Sequence, residues 1–316
     1  MPMTTNEEMQ SREGLPPVTI GVMAYNEERN IGEFLDSLLV QTAGSRIASI
    51  VVVASGCTDR TADIVREFRE RDPRIFLIEE PERSGKISAI NRFLFDAKEE
   101  IVFIASADII LEPQTIEFML VPLDDPEVGM VGAHPIPVNS RATFFGYAAH
   151  LMWTLHHEVA SRDPKMGELI AFRNVFRRLN PNNINDELSV HQLVRSAGYK
   201  LAYAGNAHVY NKGPETLKEF ISQRVRCIVG NLQIMREHNV PAPTMRTLPV
   251  LRAAAPHILG NWRRLHWTIA TAGLELYCRT KSHLTYRSQK RRARYKTWDQ
   301  ITTSKSLQKE RPRVAR

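Results

Sequence analysis

Four short clusters in this 316-residue chain carry the side chains that nucleotide and phosphate chemistry needs: Tyr25-Asn26-Glu27-Glu28, Ser55-Gly56-Cys57-Thr58-Asp59, Ser84-Gly85-Lys86 and Ser106-Ala107-Asp108. A carboxylate such as Asp108 can hold a divalent cation against phosphate oxygens. Ser84-Gly85-Lys86, at the head of a helix, offers backbone N–H groups and an ammonium to the same phosphates. Asp186-Glu187 opens an amphipathic stretch with two carboxylates, which by itself reads as the acidic first turn of a helix. Gln223, Arg224 and Arg226 crowd into four residues of a later helical pattern. Gln223 and Arg226, three apart, share a face that suits a diphosphate or an acceptor, while Arg224 points elsewhere.

The apolar pattern says what positions these clusters. Val18 to Ala24, Ile50 to Ala54, Ile75 to Glu79, Ile101 to Ala105 and Val128 to Gly132 read as strands, separated by amphipathic segments. Ile31, Phe34, Leu35, Leu38 and Leu39 recur at helix spacing with Asn26 placed as N-cap, a second crossover opens near Thr58 and Asp59, and a third runs from about Lys86. Three strand-helix units in series predict an α/β fold with a mainly parallel sheet and flanking helices. In such a sheet, ligands bind beyond the carboxyl ends of the strands, where three of the four clusters fall. The second half predicts a helical segment over Phe144 to Val159, a strand within Gly167 to Phe176 and a helix from Asp186 to Ala197 ended by Gly198. A strand at Leu201 to Ala204 and a helix from Glu215 to Arg236 follow, with Pro241-Ala242-Pro243 as a breaker.

Composition bounds the rest. Hydrophobic residues at 43% and charged residues at 24% exclude a disordered or collagen-like chain, and Cys57, Cys227 and Cys278 have neither disulfide-framework nor zinc-site spacing. The net charge of +7 is concentrated at one end: residues 279–316 hold thirteen Lys and Arg against Asp299 and Glu310, so the body is slightly acidic. No run of about 18 apolar residues predicts a transmembrane helix, and Met1 to Gly14 lacks a signal-peptide core, which points to the cytoplasm. Leu248 to Tyr277 is apolar but interrupted by Arg252, His257, Arg263 and Arg264. It reads either as an interfacial helix on an anionic membrane, peripheral to the inner face, or as a core-packing helix followed by a solvated basic tail. An arginine-rich tail also binds nucleic acid, but the acidic body and the lack of a recognisable module argue against that partner. The expected divisions are 1–16, 17–240 as the catalytic domain, 241–280 as an amphipathic helical segment and 281–316 as a basic tail.

The ordered set Val22-Met23-Ala24-Tyr25-Asn26-Glu27-Glu28, Gly56-Cys57-Thr58-Asp59, Gly85-Lys86 with Ala89-Ile90-Asn91, and Ser106-Ala107-Asp108 resembles the nucleotide-sugar motifs of family-two glycosyltransferases with the GT-A fold. The resemblance continues through Asp186-Glu187 and Gln223-Arg224-Val225-Arg226, covering residues 17–236. It implies a hexosyltransferase that moves a sugar with inversion from a UDP- or GDP-sugar to a saccharide or lipid-linked acceptor. It also implies a divalent cofactor, Mn2+ or Mg2+, held by Asp108. His208, a late histidine, would join that ion and favour manganese. Ala24, Tyr25, Glu27, Ser55, Lys86, Ser106, Ala107, Gln223, Arg224 and Arg226 would bind the donor, with Glu27 and Ser55 at the base and Ser106 at the ribose. Aligning from Gly198-Tyr199 makes Glu187 the general base with Asp186 beside it; a shift of one residue exchanges them. Ser106 stands where the family usually has an Asp, and Cys227 replaces the Trp of its Gln-x-x-Arg-Trp signature, which counts against processive synthesis. Two alternatives remain: a sugar-phosphate nucleotidyltransferase, opposed by the missing glycine-rich loop, and a non-catalytic binding protein on a decayed scaffold.

Overall fold

The alternating apolar runs build one eight-stranded sheet in a computed structural model that describes residues 16–238, 243–245, 247–260, 262–290 and 303. The strands are β1 (Val18–Ala24), β2 (Ile47–Ser55), β3 (Ile75–Glu80), β4 (Ile101–Ser106), β5 (Ile109–Leu111), β6 (Val128–Pro137), β7 (Leu169–Arg173) and β8 (Lys200–Asn211), in the order β3-β2-β1-β4-β7-β6-β8-β5. The β3-β2-β1-β4 half is parallel throughout. β7 then runs antiparallel to both β4 and β6, and β5 antiparallel to β8. The helices are α1 (Ile31–Leu39), α2 (Thr61–Arg71), α3 (Lys86–Asp96), α4 (Thr115–Leu120), α5 (Phe144–Ala160), α6 (Asp186–Ser196), α7 (Leu217–His238), α8 (Thr247–Gly260) and α9 (Leu265–Lys290).

Both faces of the sheet are covered, as a parallel sheet requires. On one face Val18, Ile20, Val22 and Phe103 pack with Phe34 and Leu35 of α1 and Phe68 of α2. On the other, Met23, Val53, Val102 and Phe172 meet Ile90 and Phe93 of α3 and Val190 and Val194 of α6. Gly21 is what lets α3 approach so closely, since a Cβ there would lie 2.6 Å from the Phe93 ring. That contact and Gly85, whose φ of 93° suits glycine at the helix entry, fix where α3 begins and so where Lys86 stands.

Three sequence expectations change. Asn26 does not cap α1: it sits in the left-handed region at φ 51°, and Asn30 occupies the N-cap position before Ile31. β8 extends to Asn211, well past Ala204, because the register with β6 shifts between Gly132 and His134 and pairing then resumes at His208. α9 runs to Lys290, past residue 280. It lays Cys278 and Tyr286 against Phe220, Val225, Ile228, Val229 and Leu232 of α7, so one of its faces is core. The break at Pro241 and Ala242 lies outside the described residues, as do residues 1–15 and, Thr303 apart, the tail after Lys290.

Candidate active site

The loops after β1 and β2 are built from each other. Asn26 Oδ1 accepts the Thr58 N–H at 2.8 Å, Asp59 Oδ2 accepts the Glu28 N–H at 3.0 Å, and the Cys57 thiol reaches the Ala24 carbonyl at 3.6 Å. Burial pushes that thiol's pKa up, so it serves as a small packing group rather than a reactive thiolate. Glu27 is buried; its carboxylate accepts from Asn30 Nδ2 at 3.0 Å while its own N–H donates to Thr61 Oγ1 at 2.7 Å. Ser55 is buried too, with its hydroxyl on the Glu82 carbonyl at 3.3 Å. Tyr25 carries the Arg83 guanidinium 4.0 Å above its ring, a cationic and aromatic wall beside these loops.

A second group of charges gathers where α3 and α6 begin. Lys86 Nζ lies 2.7 Å from Asp186 Oδ2 and 3.8 Å from Glu187 Oε1. Burial alone would lower the lysine's pKa, but the charges of Asp186 and Glu187 outweigh it and hold the ammonium above its usual range. Asn185 accepts the Leu188 N–H at 2.8 Å, capping α6, and donates to Asn231 Oδ1 on α7 at 3.0 Å. Burial and the neighbouring Asp186 push Glu187 above the ordinary carboxylate range. Asp108 is also pushed up by burial, against the pull of Lys86 and Arg226.

Two more charged groups belong to this centre although the sequence did not single them out. Glu168, just before β7, is pushed up to about 7 by burial and by the charges of Asp108 and Glu187, with Lys86 and the Asn211 hydrogen bond acting the other way. Lys165 is lowered by burial, with the charge of Glu187 opposing. Inspection of residues after each strand could not find Glu168, because β7 is antiparallel and brings its first residue, not its last, to this edge.

The structure does not bring every expected residue together. His208 lies on β8 with Nδ1 3.0 Å from Glu112 Oε2 and its ring edge-on to His134, whose own ring stacks on His157 at 4.0 Å. Glu112, which also takes the Tyr210 hydroxyl, follows β5 and is four residues from Asp108. Arg224 makes a bidentate pair with Glu275 at 2.8 and 2.9 Å, tying α7 to α9, and Arg279 shares that carboxylate. Arg226 acts on Asp108.

Among the described residues, no three His, Cys, Asp or Glu side chains converge in metal-holding geometry. The site still fits a hard divalent ion of the kind bound by one or two carboxylates together with substrate phosphates. Asp108, desolvated and under the charges of Lys86 and Arg226, is the carboxylate that would hold it.

A mixed sheet covered on both faces, with its charged residues along one strand edge, defines a GT-A-like domain. The chain belongs to glycosyltransferase family 2: the model described as "Glycosyl transferase family 2" matches residues 19–181, just over half of the chain. That match ends before Asp186. Poly-beta-1,6-N-acetyl-D-glucosamine synthase of Staphylococcus aureus (strain COL) is 22% identical over 234 residues, 70% of this chain and 56% of the relative. An N-acetylglucosaminyltransferase of Rhizobium meliloti (strain 1021) is 23% identical over 279 residues, 81% of this chain and 63% of the relative. The chain therefore spans less than two thirds of either. Among solved structures, a mannosyltransferase of Pyrobaculum calidifontis in complex with GDP-Man and Mn2+ superposes with a TM-score of 0.59 at 25% identity, covering 89% of this chain and 85% of that one. Glucosyl-3-phosphoglycerate synthase of Mycobacterium tuberculosis, with Mn2+, UDP and phosphoglyceric acid, shares the fold at a TM-score of 0.50 and 18% identity, covering 74% and 84%.

Proposed function

We propose that the chain transfers a sugar, with inversion, from a nucleoside diphosphate donor to an acceptor hydroxyl. The observation that carries this reading is the Lys86-Asp186-Glu187 cluster, set beside Asp108 at the strand edge. The nucleotide lies along the β1 and β2 loops, with Tyr25 and Arg83 against the base and Ser106 and Ala107 near the ribose. Its diphosphate reaches Lys86 and Arg226. Mn2+ or Mg2+, when bound, neutralises the diphosphate as it leaves, and Asp108 is the residue that would hold it. The acceptor oxygen attacks the anomeric carbon as the bond to the diphosphate oxygen breaks, and the acceptor's proton passes to a carboxylate. Glu187 suits that role better than Asp186. Asp186 is held by Lys86 at 2.7 Å, whereas Glu187 stands farther off with a raised pKa, and a base is most effective when its pKa lies near the working pH. UDP and GDP donors are both compatible with the relatives named above, and the acceptor is a saccharide or a lipid-linked sugar.

The acceptor side includes the outer face of α9. Leu265, Ile269, Leu276 and Leu284 fall along one side of the helix and are 42–67% exposed among the described residues, with Trp262 at 70% just before it. No helix among the described residues is long and apolar enough to cross a membrane. An apolar stripe next to thirteen Lys and Arg supports peripheral contact with an anionic membrane surface, where a lipid-linked acceptor would be met.

Calorimetry with UDP, GDP and their common sugar conjugates, with and without Mn2+, tests the reading. Donor binding that needs the metal, is lost in Asp108→Ala and survives without turnover in Glu187→Gln supports it. Full turnover in Glu187→Gln would rule out the assigned base, and no nucleotide binding at all would leave the decayed-scaffold alternative. Sedimentation with phosphatidylglycerol vesicles, compared between wild type and Ile269→Glu/Leu276→Glu, tests the membrane contact; equal binding by both rejects it.

A further inference from the structure

Glu168 stands at a point of the strand edge that the mechanism above leaves unused. Leu169 pairs with Ala105, so Glu168 lies beside the end of β4, across from Ser106. Its φ of 21° makes it one of two non-glycine residues with positive φ among those described. Such backbone persists only where the surroundings enforce it, and it gathers at functional sites. Here Gly167 is pressed between Pro135 and Trp153, where a Cβ would meet atoms at 3.2 and 3.3 Å. On the other side, Asn211 Nδ2 donates to Glu168 Oε1 at 3.0 Å.

Asn211 is fixed by the sheet. It pairs with Ile109 and with Pro137, and its carbonyl accepts the Val138 N–H at 2.9 Å. Its side chain is oriented by the bond to Glu168, and that orientation leaves Oδ1 buried with no hydrogen-bond partner. Among the described residues Glu168 receives only the Asn211 hydrogen bond, so its other oxygen is also free to accept. With Glu168 ionised, two acceptors therefore stand side by side without donors. A buried acceptor left unsatisfied is costly, which makes this pair a receiver for O–H groups. An ionised phosphate has no donor to offer and is repelled by Glu168.

Position selects the ligand. Along the edge the order is Ser55 on β2, Ala24 on β1, Ser106 on β4 and then Glu168 before β7, at a strand spacing of about 4.8 Å. A nucleotide with its base at the first two loops and its diphosphate at Asp108 and Lys86 places its next group one strand farther on. We propose that Glu168 and Asn211 form the subsite for the transferred sugar, accepting hydrogen bonds from two of its hydroxyls. This rests on the glycosyltransferase reading and adds the residues that recognise the sugar. A hydroxyl of the wrong configuration leaves one buried acceptor unpaired, so the pair selects among epimers.

The test compares nucleotide with nucleotide-sugar. The full chain, Glu168→Gln and Asn211→Ser are titrated calorimetrically with UDP, GDP, UDP-glucose, UDP-galactose, UDP-GlcNAc and GDP-mannose, and each variant's fold is checked by its thermal transition. Glu168→Gln keeps the shape but turns an N–H2 toward the sugar. The expected result is nucleoside diphosphate affinity within about 3-fold of wild type, nucleotide-sugar affinity about 10- to 100-fold weaker, and a smaller preference between epimers. Equal weakening for nucleoside diphosphate and nucleotide-sugar would overturn the proposal, because Glu168 would then serve the cation or the diphosphate. Unchanged affinities in both variants would overturn it too. Wild type that binds none of the panel sinks the donor reading and this inference together, whereas wild type that binds while the variants are unaffected sinks this inference alone.

Discussion

The two halves of the sheet treat their polar residues in opposite ways. Beside β1 and β2, the polar side chains are occupied with one another: Asn26 with Thr58, Asp59 with Glu28 and Thr61, Glu27 with Asn30. Around β4, β7 and β8, charged groups are crowded, desolvated and displaced from their ordinary pKa values, as at Asp108, Glu168 and Glu187. The first half shapes a slot with loops that are stable without a ligand. The second half holds carboxylates and a lysine that burial and mutual charge keep away from their ordinary ionisation. Perturbed carboxylates in one place are a marker of chemistry, and hydrogen-bonded loops a marker of shape.

Substitutions should separate these roles. The largest effect is expected at Glu187→Gln, which removes the proposed base and should lower turnover by about 10²- to 10⁴-fold with donor affinity nearly unchanged, read by single-turnover transfer from a radiolabelled donor. An intermediate effect belongs to the other region. Asp59 Oδ1 accepts both the N–H and the hydroxyl of Thr61, at 3.0 and 2.5 Å, at the entry to α2. Asp59→Ala should therefore cost about 1–2 kcal/mol in urea unfolding, with transfer per folded molecule within about 3-fold of wild type. Loss of transfer without loss of stability would erase the contrast. The smallest effect is pH-dependent. Because Glu168 is pushed up to about 7 in the fold, the folded chain binds more protons than the unfolded one between the ordinary glutamate range and pH 7. Its contribution to stability therefore falls as pH rises through that window. Glu168→Gln, measured with a chelator present, should melt a few degrees above wild type at pH 8 and close to it at pH 4.5.

Most of the first half was legible in the sequence because local periodicity and sheet position agree there. β1 matches its expected span, and α3 begins at Lys86 as its apolar spacing implies. The Asn26 assignment failed for a reason of backbone chemistry: asparagine is a good N-cap and is also tolerated in left-handed turns. The side chain that meets Thr58 left no signal in periodicity. In the second half, antiparallel β5 and β7 interrupt the parallel order, and three-residue β5 is too short to show a period. Glu168 was hidden by the same reversal. Asp186 and Glu187 were legible as a pair, but which of them Lys86 engages depends on a contact across about 100 residues that no local pattern encodes.

The bridge from Lys86 to Asp186 joins the first turns of two helices that arrive from different halves of the chain. In the proposed reaction Lys86 also meets the diphosphate, so a bound donor and the carboxylate pair would draw on one ammonium. Filling the donor site would then weaken that ammonium's hold on the acids and free them to act. That reaction predicts an order in which donor enters first and nucleoside diphosphate departs last, visible as nucleoside diphosphate inhibition that is competitive with donor and noncompetitive with acceptor.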